Sequence, residues 1–263
     1  MHEVLRSLGP ESFVLDLGCA QGSFNSDCTR ATIVRLDRVA PDNPLGGFVV
    51  QGDARQLPFA CHTFAAVIAN HSLEHIDDLG GSLIEIGRVL KRDGCLFASV
   101  PDASTFTDKL YRWLSRGGGH VNPFTSPGDL AKTIERCTGL PLVATRTLCS
   151  SLSFLNARNS PRPRPRRLLL LGGGAEWSLF AYVWLSRWID RKINLRTSVY
   201  GWALYFGAIP EAVNTETMMN VCIRCGSGFT ASCLRQSWLV HSNWIGARLY
   251  RCPDCGAMNP FID

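Results

Sequence analysis

The sequence predicts an open, doubly wound α/β sheet, mostly parallel, followed by a small cysteine-bearing module. Three observations predict it. Short runs rich in β-branched residues alternate with helical patterns up to about residue 150. Each of the first three runs closes on an aspartate. Four cysteines are paired as C-x2-C twice in the last forty-odd residues.

The runs are "SFVLDLG", "TIVRLD", "GFVVQGD", "FAAVIAN", "CLFASVP" and "LPLVATRTL". Continuous apolar runs of this kind suit strands buried on both faces of a parallel sheet. "DLGGSLIEIGRVLKRDG" sets Leu83, Ile86, Val89 and Leu90 at helical spacing, with Lys91 and Arg92 in its last turn and Gly94 as its stop. "TSPGDLAKTIERCTG" has Ser126 as N-cap, Pro127 at the first helical position and Gly139 as terminator. Ligands of such sheets bind outside the carboxyl ends of the strands.

The first strand ends at Asp16 and Leu17, so "GCAQG" turns the backbone sharply, and the pattern places a helix after it. A dinucleotide fingerprint starting at Gly18 needs glycine at positions 20 and 23, where the chain has Ala20 and Ser23, and no Gly-Lys-Ser/Thr follows for a P-loop. What remains is a small-residue turn behind an acid. It suits a zwitterionic or cationic ligand lying against bare backbone. Asp37 ends the second run, twenty-one residues after Asp16, where a carboxylate can accept both hydroxyl hydrogens of a ribose. Asp53 ends the third, within reach of an adenine amino group. Any one of these aspartates alone could be a turn or helix cap.

In order and spacing, "VLDLGCAQG", "VRLD", "QGDARQLPF", "FAAVIANHSLEHIDD" and "LIEIGRVLKRDGCLFASVPD" resemble the successive motifs of class I S-adenosylmethionine-dependent methyltransferases, in the branch of small-molecule and quinone-type enzymes. The resemblance runs from about Ser12 to Ser150, and "SVYGWALYFGAI" looks like the family's last, antiparallel strand. Ala20 stands where the family most often has glycine. The resemblance implies that Asp16 and the turn of Gly18, Cys19, Ala20 and Gly22 hold the methionine part of S-adenosylmethionine. Asp37, with Arg38 beside it, would take the ribose; Gly52, Asp53 and Ala54 would bracket the adenine; Asn70, His71 and Ser72 would line the sulfonium side. Transfer is then an in-line displacement whose rate comes mostly from holding the reacting atoms together. A base is needed only if the acceptor must lose a proton, and His71, His75 and His120 are the candidates. Each could equally pack or cap. Glu74 and His75 could ligate a metal, but two ligands do not make a site.

The chain of 263 residues carries a formal charge of +5, and Arg158, Arg162, Arg164, Arg166 and Arg167 in "RNSPRPRPRR" account for five positive charges. The basicity is thus a local patch. The amino terminus lacks the pattern of a secretory signal, so a cytoplasmic setting is expected. Six cysteines are scattered singly, as reduced thiols are. Little chain precedes the first strand, so a lid over the cofactor is expected from residues 103–125 and from the inserted segment 151–197. That segment carries "RLLLLGGGAEWSLFAYVWLSRWIDRKI". Gly172 to Gly174, Glu176 and Arg187 argue against a membrane span. A helix packed over the acceptor pocket is expected, and peripheral membrane contact through 158–190 is the alternative. Alternating Pro-Arg also suits a solvated linker.

A composition break near Asn220 divides a methyltransferase domain, 1–218, from a module, 219–263. Cys222 and Cys225, then Cys252 and Cys255, are separated by twenty-six residues and look like a zinc ribbon, with a structural ion because four cysteines leave no open position. Redox use of the pairs is the lesser alternative. The first functional reading is methyl transfer to a small or lipid-linked acceptor. The second uses the ribbon, with Arg224, Arg235, Arg248, Arg251, Trp238, Trp244 and Tyr250, to recognise RNA or protein. Against a nucleic-acid base as acceptor, "NHSLEH" lacks an Asn/Asp-Pro-Pro-aromatic motif.

Overall fold

Strand formation in the first hundred residues follows the apolar runs. The computed structural model describes residues 1–40, 44–114, 119–156, 174–209, 216–242 and 248–262. Helix α1 (His2–Ser7) precedes β1 (Phe13–Leu17), β2 (Thr32–Asp37), β3 (Phe48–Gln51) and β4 (Phe64–Asn70). Then come α2 (Leu79–Val89), β5 (Leu90–Pro101), α3 (Phe106–Leu114), α4 (Pro127–Thr138), β6 (Leu142–Cys149), α5 (Glu176–Ile193) and β7 (Val199–Gly207). The chain closes with β8 (Met218–Val221), β9 (Gly228–Phe229), α6 (Ala231–Gln236), β10 (Val240–Ser242), β11 (Arg248–Arg251) and β12 (Met258–Pro260). The large sheet has the order β3-β2-β1-β4-β5-β7-β6-β8-β9, and β10-β11-β12 form a second sheet.

Strands β1 to β5 are parallel, with Val14 opposite both Ile33 and Ala66, and Ile68 opposite Phe97. The hydrogen bonds flanking β7 show its direction. Ala208 N–H donates to Gly94 O and Asp102 N–H to Tyr200 O; Gly207 N–H donates to Pro141 O and Ser150 N–H to Ser198 O. Partner numbers fall on one side as they rise on the other, so β7 is antiparallel to β5 and to β6.

The contacts divide the chain into two compact units that differ from a cut at residue 219. The first holds 1–101, 119–145 and 202–215; the second holds 102–118, 146–201 and 216–263, so β6 and β7 each pass through both. In the first unit Leu15, Leu17, Val67, Leu83, Ile86, Leu96, Ile134 and Phe206 are buried in one core. Each fully buried side chain of this size contributes about 1.5–3 kcal/mol by leaving water. Helix α4 is capped as its sequence predicts: Ser126 Oγ accepts from Asp129 N–H, and Gly139 closes the helix at φ 72°.

Three expectations change. Helix α2 ends at Val89 with Arg88 as its last-turn base, and Lys91, Arg92 and Gly94 belong to β5. Leu90 is buried opposite Phe64, and extending the chain there satisfies both its side chain and the ladder. No α-helix follows "GCAQG": β1 and β2 are joined by a loop with a single 3-10 turn, Ser26–Cys28. Asn25, Ser26 and Asp27 favour turns over helix interiors, and the connection is too short for turn, helix and return together. Among the described residues no helix follows β2 before β3 either. As a result β3 is not buried on both faces; Phe48 is 68% exposed.

In the second unit α5 buries Leu179 and Val183 and leaves Trp177, Trp184, Leu185 and Trp188 exposed along one stripe. No helix among the described residues is long and apolar enough to cross a membrane. The five arginines of the Pro/Arg run, Gly172, Gly173 and Trp244 lie outside the described residues.

Candidate functional site

The carboxyl ends of β1 to β4 open onto a cavity of about 300 Å³ in the first unit. It is lined by Leu17, Gly18 and Ala20 after β1, Leu36, Asp37 and Arg38 at β2, and Gly52 to Arg55 after β3. His71, Ser72 and His75 to Asp77 complete it after β4. Of the residues the sequence singles out for the cofactor, Gly18, Ala20, Asp37, Arg38, Gly52, Asp53, Ala54, His71 and Ser72 therefore share one cavity. Asp16, Cys19, Gly22 and Asn70 are not among its lining residues.

The turn is shaped by backbone. Gly18 N–H and Cys19 N–H both donate to Leu36 O, at 2.8 and 3.2 Å, and Gly22 N–H returns to Cys19 O. Gly18 has φ +65°, and a Cβ there would meet Ser72 Cβ at 2.5 Å. Ala20 is held in the left-handed region at φ 46°, and its N–H donates to Asp37 Oδ2 at 2.8 Å. Asp37 Oδ1 accepts from Val39 N–H at 3.3 Å.

Asp16, expected to meet the cofactor itself, is fully buried in an ion pair with Arg35, and its Oδ2 also accepts from Ser23 N–H at 2.9 Å. Burial pushes its carboxyl up, while Ser23 and Arg35 pull it down. Arg35 Nε donates to Gly46 O, and Nη2 to Phe24 O and Leu45 O. One buried guanidinium thus ties the turn after β1 to the segment before β3. Nothing in the family pattern points to Arg35; the signal was a charge inside a strand run otherwise buried. Cys19 is buried beside the turn, and burial, then Asp16 and Asp37, push its thiol up to about 12, so it stays protonated.

Asp53, expected to face an adenine amino group, is engaged by its own loop. Arg55 contacts both carboxylate oxygens, the shortest at 2.6 Å, and its N–H donates to Oδ1 at 2.9 Å. Those bonds lower the carboxyl to about 2. Arg38 lies 3.6 Å from Asp77 across an exposed rim. Three carboxylates (Asp37, Asp53, Asp77) and two guanidiniums (Arg38, Arg55) give the lining a formal charge of −1 with neutral histidines, which suits a cationic ligand. Ser72 Oγ is buried without a protein partner, and Gly18 excludes any side chain opposite it. These residues fit a nucleoside joined to an amino acid, with no phosphate to cradle.

The histidines differ. His71, at φ 53°, donates its N–H to Ser99 O at 3.0 Å, and Ser99 Oγ donates to Asn70 Oδ1 at 2.6 Å, which fixes the end of β4. His75 lines the cavity and its Nδ1 meets Gly119 O at 3.0 Å, while His120 packs edge-on to it with ring centroids 4.9 Å apart.

In the second unit, Cys222, Cys225, Cys252 and Cys255 bring their sulfurs within 4.8 Å of one another. Cys222 lies 3.6 Å from Cys255, and Cys225 lies 3.6 Å from Cys252. Those spacings are far too long for a disulfide. They match the edge of a tetrahedron built on metal–sulfur bonds of about 2.3 Å. Each C-x2-C turn ends on a left-handed glycine, Gly226 or Gly256, whose N–H returns to the first cysteine's carbonyl. Cys233 lies outside the cluster.

Comparison with known proteins agrees with this geometry. The family described as "Methyltransferase domain" matches residues 15–98. A malonyl-[acyl-carrier protein] O-methyltransferase of Methylococcus capsulatus is 29% identical over 195 residues, 63% of this chain and 70% of that protein. The mitochondrial arginine-hydroxylase NDUFAF5 of Danio rerio is 28% identical over 138 residues, 46% of this chain and 42% of that protein. The crystal structure of an S-adenosylmethionine-dependent methyltransferase from Archaeoglobus fulgidus shares the fold, with a TM-score of 0.50 at 18% identity, over 74% of this chain and 86% of that one. The cavity at the strand ends, the antiparallel β7 and the match across β1 to β5 lead to one conclusion: residues 15–98 match a methyltransferase domain, and the chain shares the fold of S-adenosylmethionine-dependent methyltransferases.

Proposed function

We propose that the chain methylates a small or lipid-linked acceptor from S-adenosylmethionine held in the cavity of the first unit. The observation that carries this reading is the convergence of Gly18, Asp37, Ala54 and Ser72, from four successive strand ends, on one cavity. When bound, the donor supplies a methyl on a sulfonium, activated for displacement. Asp37 accepts from the ribose hydroxyls with the lone pairs that Ala20 and Val39 leave over. Gly52, Asp53 and Ala54 bracket the adenine, with Asp53 working beside Arg55. Gly18 and Ala20 would present backbone to the methionine portion, and His71 and Ser72 would line the sulfonium side. Asp16 acts from outside the cavity, by holding Arg35 and Ser23 and so the shape of the turn. His75, His71 and His120 are the candidates for taking a proton from the acceptor.

The named substrate of the Methylococcus capsulatus relative is an acyl group on a carrier, which supports a tethered acceptor. A second reading, recognition of RNA or protein through the ribbon, draws on Trp238, 88% exposed. Arg235 and Arg248 there already stack on Phe261. In both readings the four cysteines hold a structural zinc.

Titration calorimetry with S-adenosylhomocysteine tests the cofactor assignment. Asp37→Ala should weaken binding about tenfold or more, the loss expected when a charged acceptor is removed from a ligand hydroxyl. Unchanged affinity would remove Asp37 from the site.

A further inference from the structure

A buried acid beside the donor cavity lacks a full set of partners. Glu74 sits in the 3-10 turn Leu73–His75 after β4, is 1% exposed, and has a buried Oε2 with no hydrogen-bond partner. Its other oxygen lies 3.6 Å from His71 Nδ1. A carboxylate oxygen removed from water without a donor is costly, and a cation is its natural complement.

Two imidazoles are held next to it. Val121 N–H and Asn122 N–H both donate to Glu74 O, at 2.8 and 3.1 Å, and Asn122 Nδ2 donates to Leu73 O and Ile76 O. Those bonds fasten the loop that carries His120 onto the turn that carries Glu74 and His75. His75 Nδ1 lies 3.0 Å from Gly119 O. A carbonyl only accepts, so Nδ1 carries a hydrogen and Nε2 is the nitrogen left for a metal, which is the arrangement of a metal-ligating histidine with its outer partner in place. One ligand atom each from Glu74, His75 and His120 lies within 4.8 Å of the others. Metal bonds of about 2.1 Å would draw the widest of these pairs together by about 1–1.5 Å. His75 is exposed and His120 partly so, which leaves both rings room to move.

From this we infer that Glu74, His75 and His120 form a binding site for a divalent transition ion such as Mn²⁺, Fe²⁺ or Zn²⁺, with open positions for an oxygen of the methyl acceptor. Two imidazoles and one carboxylate select borderline ions and leave coordination sites unfilled, unlike the four thiolates of the second unit. His75 lines the donor cavity, so an oxygen on the ion would lie at that cavity's rim. The ion's charge would favour an ionised acceptor oxygen. The role of the open positions rests on the methyl-transfer reading; the ion site itself does not.

Mn²⁺ separates the two metal sites because it disfavours thiolates. Titration of the full chain with Mn²⁺, followed by loss of the free ion's electron paramagnetic resonance signal, should show one site. Glu74→Gln and His120→Ala should each weaken it at least about tenfold, the effect of losing one ligand. Pulsed resonance on the wild-type complex should show directly bound imidazole nitrogen, a readout that needs no variant to fold. No Mn²⁺ binding, binding indifferent to both variants, or a bound ion without nitrogen coupling would each overturn the site. S-adenosylhomocysteine binding, measured separately, reports on the donor cavity: its failure with Mn²⁺ still bound would sink the cofactor reading and leave the metal site standing.

Discussion

Ala20 shows what one methyl group does at a turn that lines a cavity. Its φ of 46° is a conformation that costs a residue with a Cβ about 1–2 kcal/mol. The hydrogen bond from its N–H to Asp37 and the paired bonds of Gly18 and Cys19 to Leu36 hold it there. Ala20→Gly should therefore raise stability by up to about 1 kcal/mol once the extra unfolded-state freedom of glycine is subtracted, measured as a higher midpoint in denaturant. A lower midpoint would mean that the alanine methyl makes a packing contact worth more than its strain. At this scale the sequence was informative where chemistry is local. Asp37, Asp53 and Ser72 sit at strand ends that the apolar runs define, so their convergence follows from the fold class. The bidentate grip of Arg55 on Asp53 and the turning of Asp16 toward Arg35 depend on side-chain partners that no spacing rule reveals.

Among the elements, the loop between β1 and β2 departs furthest from expectation. A helix there would have presented its amino-terminal N–H groups to the ligand. Arg35 does the ordering instead, through Asp16, Phe24, Leu45 and Gly46. Gly22 makes room for it, since a Cβ at φ +124° would lie 2.9 Å from Nη1. Arg35→Met leaves Asp16 buried without its counter-ion and should cost about 3–5 kcal/mol in chemical denaturation. The pair Arg35→Met with Asp16→Leu should recover part of that loss, because both desolvated charges are then gone. A single variant as stable as the wild type would show that the ion pair does not organise the turn. The missing helix was hidden from pattern reading because strand–helix alternation sets an expectation for every crossover, whereas Asn25, Ser26 and Asp27 decide this one locally. Helix α4, with its cap, proline and terminal glycine all within the segment, was legible throughout.

Across the whole molecule, the two units carry different chemistry: a cavity with one formal negative charge in the first and a four-thiol cluster in the second. The ribbon residues pack as a small core of Phe229, Leu234, Tyr250 and Phe261 around Cys222 and Cys252. So small a core would gain much of its stability from an ion held by the four thiols. Metal analysis should find zinc at the four-cysteine cluster, and a strong chelator should lower the melting midpoint; folded protein with four titratable thiols and no zinc would refute the ribbon. The cysteine spacing made this cluster readable, whereas composition does not mark the contacts by which described residues such as Phe106 and Leu179 group with it in the second unit. The position of β7 between β5 and β6 has a consequence for biosynthesis. As the nascent chain leaves the ribosome, β6 emerges well before the strand that must separate it from β5, so the parallel half can assemble early while β6 waits for residues near 200. Ribosome-bound chains stalled before that point should carry a settled β1 to β5 and an unplaced β6.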